Sequence, residues 1–103
     1  MNIKNFADRA LKASELLNMM GNEKRLMILC QLGQGEKSVG ELENLIGLKQ
    51  SAMSQHLAKL RAQKLVQTRR ESQTIFYSLA SKEVEQLISA LYGLYCPKLD
   101  DKG

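Results

Sequence analysis

Apolar side chains recur along the chain with two different periods, and the switch between them divides it. Over residues 3–20, Ile3, Phe6, Ala10, Ala13, Leu17 and Met20 alternate spacings of three and four. That predicts one helix with a heptad-like seam, which packs either within its own chain or against a second copy. Gly21–Asn22 interrupts it, and Asn22 suits the cap of a second helix over 23–33. Leu26, Ile28, Leu29, Cys30 and Leu32 make this helix apolar on most sides, so it belongs at the centre. Gly33 and Gly35 end it. Ser38 and Glu41 carry the spacing of a capping box and open a third helix, with Val39, Leu42 and Ile46 as its buried stripe. After the turn Gly47–Leu48–Lys49 comes a fourth helix over 50–63, whose inner stripe is Met53, Leu57 and Leu60.

Beyond Lys64 the period becomes that of extended chain. Residues 65–70 (LVQTRR) and 74–79 (TIFYSL) are rich in β-branched and aromatic side chains, and Glu71–Ser72–Gln73 joins them as a hairpin. Ser81 then caps a last helix with Val84, Leu87, Ile88, Leu91 and Leu94 or Tyr95 on its stripe, and Pro97 stops it. The fold class is therefore mainly α with a β-hairpin. The order helix, helix, helix-turn-helix, hairpin, helix is that of a winged helix in a single domain over 1–103, with the helix-turn-helix at about 38–63 and the wing at about 65–79.

The outer face of the fourth helix points to a function. Ser51, Gln55, Ala58 and Ala62 are small or polar, where a face meant only for water usually carries Glu and Lys pairs. Small side chains allow close approach, Ser and Gln can hydrogen-bond base edges, and Lys59 and Arg61 at the flanks can reach phosphates. Good surface residues would account for the same pattern on that helix alone; the turn before it and the basic hairpin after it favour a DNA major groove.

Charge and composition change the picture little. The formal net charge is +4 and the pI about 9.2, a mild basic excess, but the basic residues cluster at Lys24–Arg25, at Lys59, Arg61 and Lys64, and at Arg69–Arg70. The longest apolar runs are too short for a bilayer, and charged residues occupy the N-terminal stretch where a signal peptide is apolar. No partner for a membrane and a cytoplasmic location are the expectation, with both cysteines reduced at rest. No nucleophile with a base and orienter, no carboxylate pair and no Gly-rich phosphate loop stands out, which argues against an enzyme; no cofactor is implied. The one histidine, His56, lies on the rim of the fourth helix's apolar stripe, where a packed histidine bonding a neighbouring helix is favoured over a metal ligand, since no partner ligands lie nearby.

The segments NEKRLMIL, SVGEL, SAMSQHLAKLR and LVQTRRESQTIFYSL resemble the ArsR (SmtB) family of bacterial winged-helix repressors, over roughly residues 16–96. The resemblance implies a homodimer held by the first and last helices (about 3–20 and 81–96), binding a pseudo-palindromic double-stranded DNA operator until an inducer releases it. By position it implies groove contacts from Gln50, Ser51, Ser54, Gln55 and Lys59. Lys49 and Ser38 would meet phosphate oxygens, and Arg69, Arg70 and Gln73 would act from the wing. Where the family often has glycine at the wing tip, this chain has Glu71–Ser72–Gln73.

The metal sites common in the family are missing. The third helix lacks cysteine, and the last lacks histidine and aspartate. Cys30 and Cys96 instead match in position the thiol-sensing branch (the BigR, SqrR and HlyU type), which implies redox sensing through a disulfide or polysulfide bridge formed by a small reactive sulfur or oxidant inducer. The residues by themselves leave other readings open. Cys30, four after Leu26, points inward like a small core residue. Cys96 meets the negative end of a helix dipole, which disfavours a thiolate. A peroxide- or metal-responsive regulator, and a protein-interaction module with structural cysteines, are the alternatives.

Overall fold

The computed structural model describes residues 1–96; the stop expected at Pro97 lies outside them. The elements run α1 (Ile3–Ala7), α2 (Ala10–Met20), α3 (Glu23–Gly33), β1 (Lys37–Ser38), α4 (Val39–Ile46), α5 (Gln50–Ala62), β2 (Val66–Glu71), β3 (Thr74–Leu79) and α6 (Lys82–Tyr95).

The helices start where the sequence carries caps. Asn22 Oδ1 accepts from the backbone N–H of Lys24 at 2.9 Å and of Arg25 at 3.0 Å. Ser38 Oγ accepts from the Glu41 N–H while Glu41 Oε1 accepts from the Ser38 N–H at 2.8 Å, so the capping box is complete. This engagement holds the Glu41 carboxyl below its ordinary pKa, chiefly through the backbone hydrogen bond. Ser81 caps α6 through the Val84 N–H at 3.2 Å. Gly47 closes α4 with φ 82, a left-handed conformation that suits glycine.

The core gathers around α3. Ile28 and Leu29 from α3, Leu42 from α4, Met53, Leu57 and Leu60 from α5 and Val84 from α6 are fully buried, with Leu65 and Val66 closing the corner into the sheet. The stripe expected for α5 is the observed one, while Leu26 and Cys30 of α3 and Val39 of α4 are only half-buried; on α6 Val84 is buried, Leu87, Ile88 and Leu91 are half-buried, and Leu94 and Tyr95 are exposed.

Three local features depart from expectation. Residues 3–20 are two helices, broken at Asp8–Arg9; Arg9 has φ −115 and ψ 5, outside the helical region. Among the described residues nothing buries the early seam: Ile3 is 66% and Phe6 55% exposed. A five-residue helix without tertiary burial is marginal, so the seam does not hold the helix continuous. The link of the hairpin is shorter than expected, because Glu71 pairs with Thr74 and leaves only Ser72–Gln73 at the turn, with Ser72 left-handed at φ 59. Finally, Lys37 and Ser38 pair with Tyr77 and Phe76, adding a third strand in the order β1-β3-β2. A two-residue strand has no period to read.

Candidate functional site

α5 lies across the surface with its apolar stripe down. Met53, Leu57 and Leu60 are buried, while Gln50, Ser51, Ser54, Gln55, Ala58 and Lys59 are exposed. Lys49 precedes the helix in extended conformation, and no side chain caps its first turn. The free N–H groups there face outward at the positive end of the helix dipole, a ready acceptor of an anionic oxygen. Ser38 sits at the start of α4; its oxygen accepts the Glu41 N–H, which leaves its hydroxyl hydrogen to donate elsewhere. At its far end α5 terminates through Lys64, left-handed at φ 61, with the Leu65 N–H bonded to the Leu60 carbonyl at 3.0 Å and the Lys64 N–H to the Arg61 carbonyl at 2.9 Å. This is the paired bonding of a Schellman turn, and it aims β2 away from the helix.

The two wing arginines differ. Arg69 is gripped by two carboxylates. Its Nε and Nη2 donate to the two oxygens of Glu36 at 2.7 and 2.8 Å, and Nη1 donates to Glu71 at 2.8 Å. Its guanidinium also lies 4.6 Å from the centre of the Phe76 ring. These hydrogen bonds push its already high pKa further up. Arg70 points to solvent and has no ion pair among the described residues, and Gln73 is exposed at the tip. Sequence reasoning missed Glu36: it lies 33 residues from Arg69, and only the added strand brings the two together.

His56 does not bond a neighbouring helix. It is half-buried, and its Nδ1 is buried without a hydrogen-bond partner among the described residues. Burial, then the charges of Arg25 and Lys59, lower its pKa and keep the ring neutral. Its spacing placed it correctly on the rim, but Arg25, whose charge acts on it, spends its Nε on the Met19 carbonyl at 2.7 Å.

The cysteines come from opposite ends of the sequence to one place. Cys30 near the end of α3 and Cys96 at the end of α6 are both half-buried and line a single cavity of about 510 Å³. Leu26, Ile88, Leu91 and Tyr92 supply much of its wall. Cys30 thus opens onto a cavity rather than filling the core. Its thiol pKa is raised, first by burial and then by the charge of Cys96. Among the described residues no three of His, Cys, Asp and Glu group so as to hold a metal ion, and no helix is long and apolar enough to cross a membrane.

Known proteins resemble the chain in sequence and fold. Residues 22–68 match the model of the bacterial regulatory protein family arsR. The transcriptional activator HlyU of Vibrio cholerae is 52% identical over 96 residues, covering 93% of this chain and 89% of that protein. The solved transcriptional repressor BigR from Xylella fastidiosa is 42% identical with a TM-score of 0.88, covering 93% of this chain and 98% of that one. A more distant solved structure, a homodimeric winged helix-turn-helix DNA-binding domain from Mycobacterium bovis, is 27% identical with a TM-score of 0.74, covering 90% of this chain and 86% of that one. With an uncapped, polar-faced helix set over a buried stripe, a paired wing beside it and relatives matched along nearly its whole length, the chain belongs to the ArsR family of winged helix-turn-helix transcriptional regulators.

Proposed function

We propose that the chain works as a homodimeric repressor that leaves its operator when reactive sulfur or another oxidant joins Cys30 to Cys96. The observation that carries this reading is the shared cavity: two cysteines 66 positions apart (96 − 30) line one space between α3 and α6. A bridge there ties the central helix, which supports the helix-turn-helix, to the last helix. Such a tether acts on DNA only if the two shapes bind it differently, and a bias of about 1.4 kcal/mol against the competent shape lowers affinity tenfold.

The groove contacts in this reading are Gln50, Ser51, Ser54, Gln55 and Lys59, with Lys49 and Ser38 on phosphates and Arg70 and Gln73 from the wing. All except Ser38 are exposed. The dimer is supported by the apolar surface on α2 and α6, where Leu17 is 57%, Leu94 74% and Tyr95 80% exposed. A surface of that kind calls for a partner, and the Mycobacterium bovis neighbour is described as homodimeric.

The test is a gel shift on a palindromic promoter fragment with the reduced protein, repeated after treatment with an organic persulfide. Binding should weaken steeply with salt, fall after treatment, and accompany an intrachain Cys30–Cys96 link in the intact mass. Unchanged binding with both thiols free would exclude the sensing role. Transcription in vitro from the same fragment should drop on adding reduced protein; a rise would make it an activator, as the Vibrio cholerae relative is described.

A further inference from the structure

We infer that the cavity between the two thiols selects an uncharged, apolar sulfur donor, of the dialkyl trisulfide class, over anionic donors carrying the same sulfur chain. The inference rests on the sensing reading above and adds the chemistry of the inducer.

Its basis is the electrostatics of the wall. Leu26, Leu79, Ile88 and Leu91 are apolar, and the cavity, at about 510 Å³, is of the size that takes a small organic molecule. Among the described residues Glu85 is the one charged residue on its lining, and no Lys, Arg or His contributes. Gly33 and Gln34, at the carbonyl end of α3, and Tyr95 and Cys96, at the carbonyl end of α6, also line it. Both helices therefore turn their negative ends toward the space. An anion entering it loses water, meets no cation among the described residues and faces a carboxylate and two sets of carbonyl oxygens. An alkyl chain loses nothing polar and gains apolar contact.

A trisulfide completes the bridge without a further oxidant. The thiolate of one cysteine attacks the central sulfur, breaks one sulfur–sulfur bond and expels an alkyl thiolate. The second cysteine attacks the same sulfur and expels the other alkyl thiolate. Each cysteine gives up a proton and each alkyl thiolate takes one up. The two protein thiols are oxidised to a protein trisulfide, and the donor is reduced to two alkyl thiols.

The experiment treats the reduced full-length protein with diethyl trisulfide and, separately, with the trisulfide of 3-mercaptopropionate, which has two carboxylates. Thiol loss and intact mass are followed, and each rate is divided by that for N-acetylcysteine amide. The normalised rate for the diethyl donor should exceed that for the dianion by about tenfold, the ratio expected for a modest charge penalty in the cavity, and the product should gain one sulfur and lose two hydrogens. Glu85→Lys should shrink the ratio by speeding the dianion. Equal normalised rates, or a ratio indifferent to Glu85→Lys, would overturn the selectivity while the bridged product still upheld the thiol pair. No thiol loss with either donor, under conditions that consume N-acetylcysteine amide, would overturn the sensing reading and this one with it.

Discussion

Arg69 and Arg70 are adjacent in the sequence and identical in type, yet their surroundings assign them different work. Arg69 already satisfies three of its N–H groups on Glu36 and Glu71, so a phosphate would have to displace carboxylates to reach it. Arg70 is free to meet one. Arg70→Ala should therefore flatten the dependence of log affinity on log salt by about 0.9 per lost phosphate contact, and Arg69→Met should flatten it less; fluorescence anisotropy on the operator over a salt series reads both. Cys30 carries a second residue-level expectation. Its pKa is raised partly by Cys96, so Cys96→Ser should lower it, and alkylation of Cys30 at neutral pH should quicken. His56 carries a third. Its folded pKa lies below the unfolded value of about 6.5, so the folded state holds its proton less tightly. The stability this lends is present above that pH and declines as pH falls through it toward the folded pKa. Urea unfolding between pH 8 and 5 should show the decline, and His56→Met should reduce it. Spacing alone placed Arg69, Cys30 and His56 on their elements, but Glu36, Cys96 and Arg25, which help set their chemistry, come from distant segments.

At the level of elements, the helix starts were legible and two of the turns were not. Asn22, Ser38 and Ser81 cap helices because their side-chain oxygens reach backbone N–H groups within the next three residues, a purely local matter. Gly47 likewise marks a left-handed stop, and Gly47→Ala should cost about 1 kcal/mol in denaturant unfolding. Lys64 and Ser72 take the same left-handed backbone without being glycine. There the surrounding structure imposes the turn: the Leu60–Leu65 bond and the buried Leu65 hold the first, and the paired Glu71 and Thr74 hold the second. Relieving that conformation should stabilise, so Lys64→Gly is expected to gain up to about 1 kcal/mol. The break at Asp8–Arg9 is the converse case. A good seam on paper did not produce one helix, because packing within the chain does not reach its first turns.

For the molecule as a whole, the apolar residues left outside decide more than those within. Ile3, Phe6, Leu11, Leu17, Leu94 and Tyr95 stand exposed on the first two helices and the last. A chain this small buries only a modest core, and a second copy covering this face would add to it. Leu17→Lys should therefore shift sedimentation toward monomer and weaken operator binding, while helical content by circular dichroism stays close to that of the parent. A dimer that persists would place the contact elsewhere. Because folding and association are then linked, unfolding midpoints should be compared at one protein concentration.

From α3 onward, helix positions, caps, the helix-turn-helix and the switch to a hairpin were present in the order of residues, because each depends on side chains three or four apart or alternating along a strand. The polar outer face of α5 was present too, for the same reason. Contacts between segments were not. The third strand, the carboxylate grip on Arg69, the orphaned nitrogen of His56 and the common cavity of Cys30 and Cys96 each join residues far apart in the chain. Local spacing says which way a side chain points from its own helix or strand; only the packed arrangement of those elements decides what it meets.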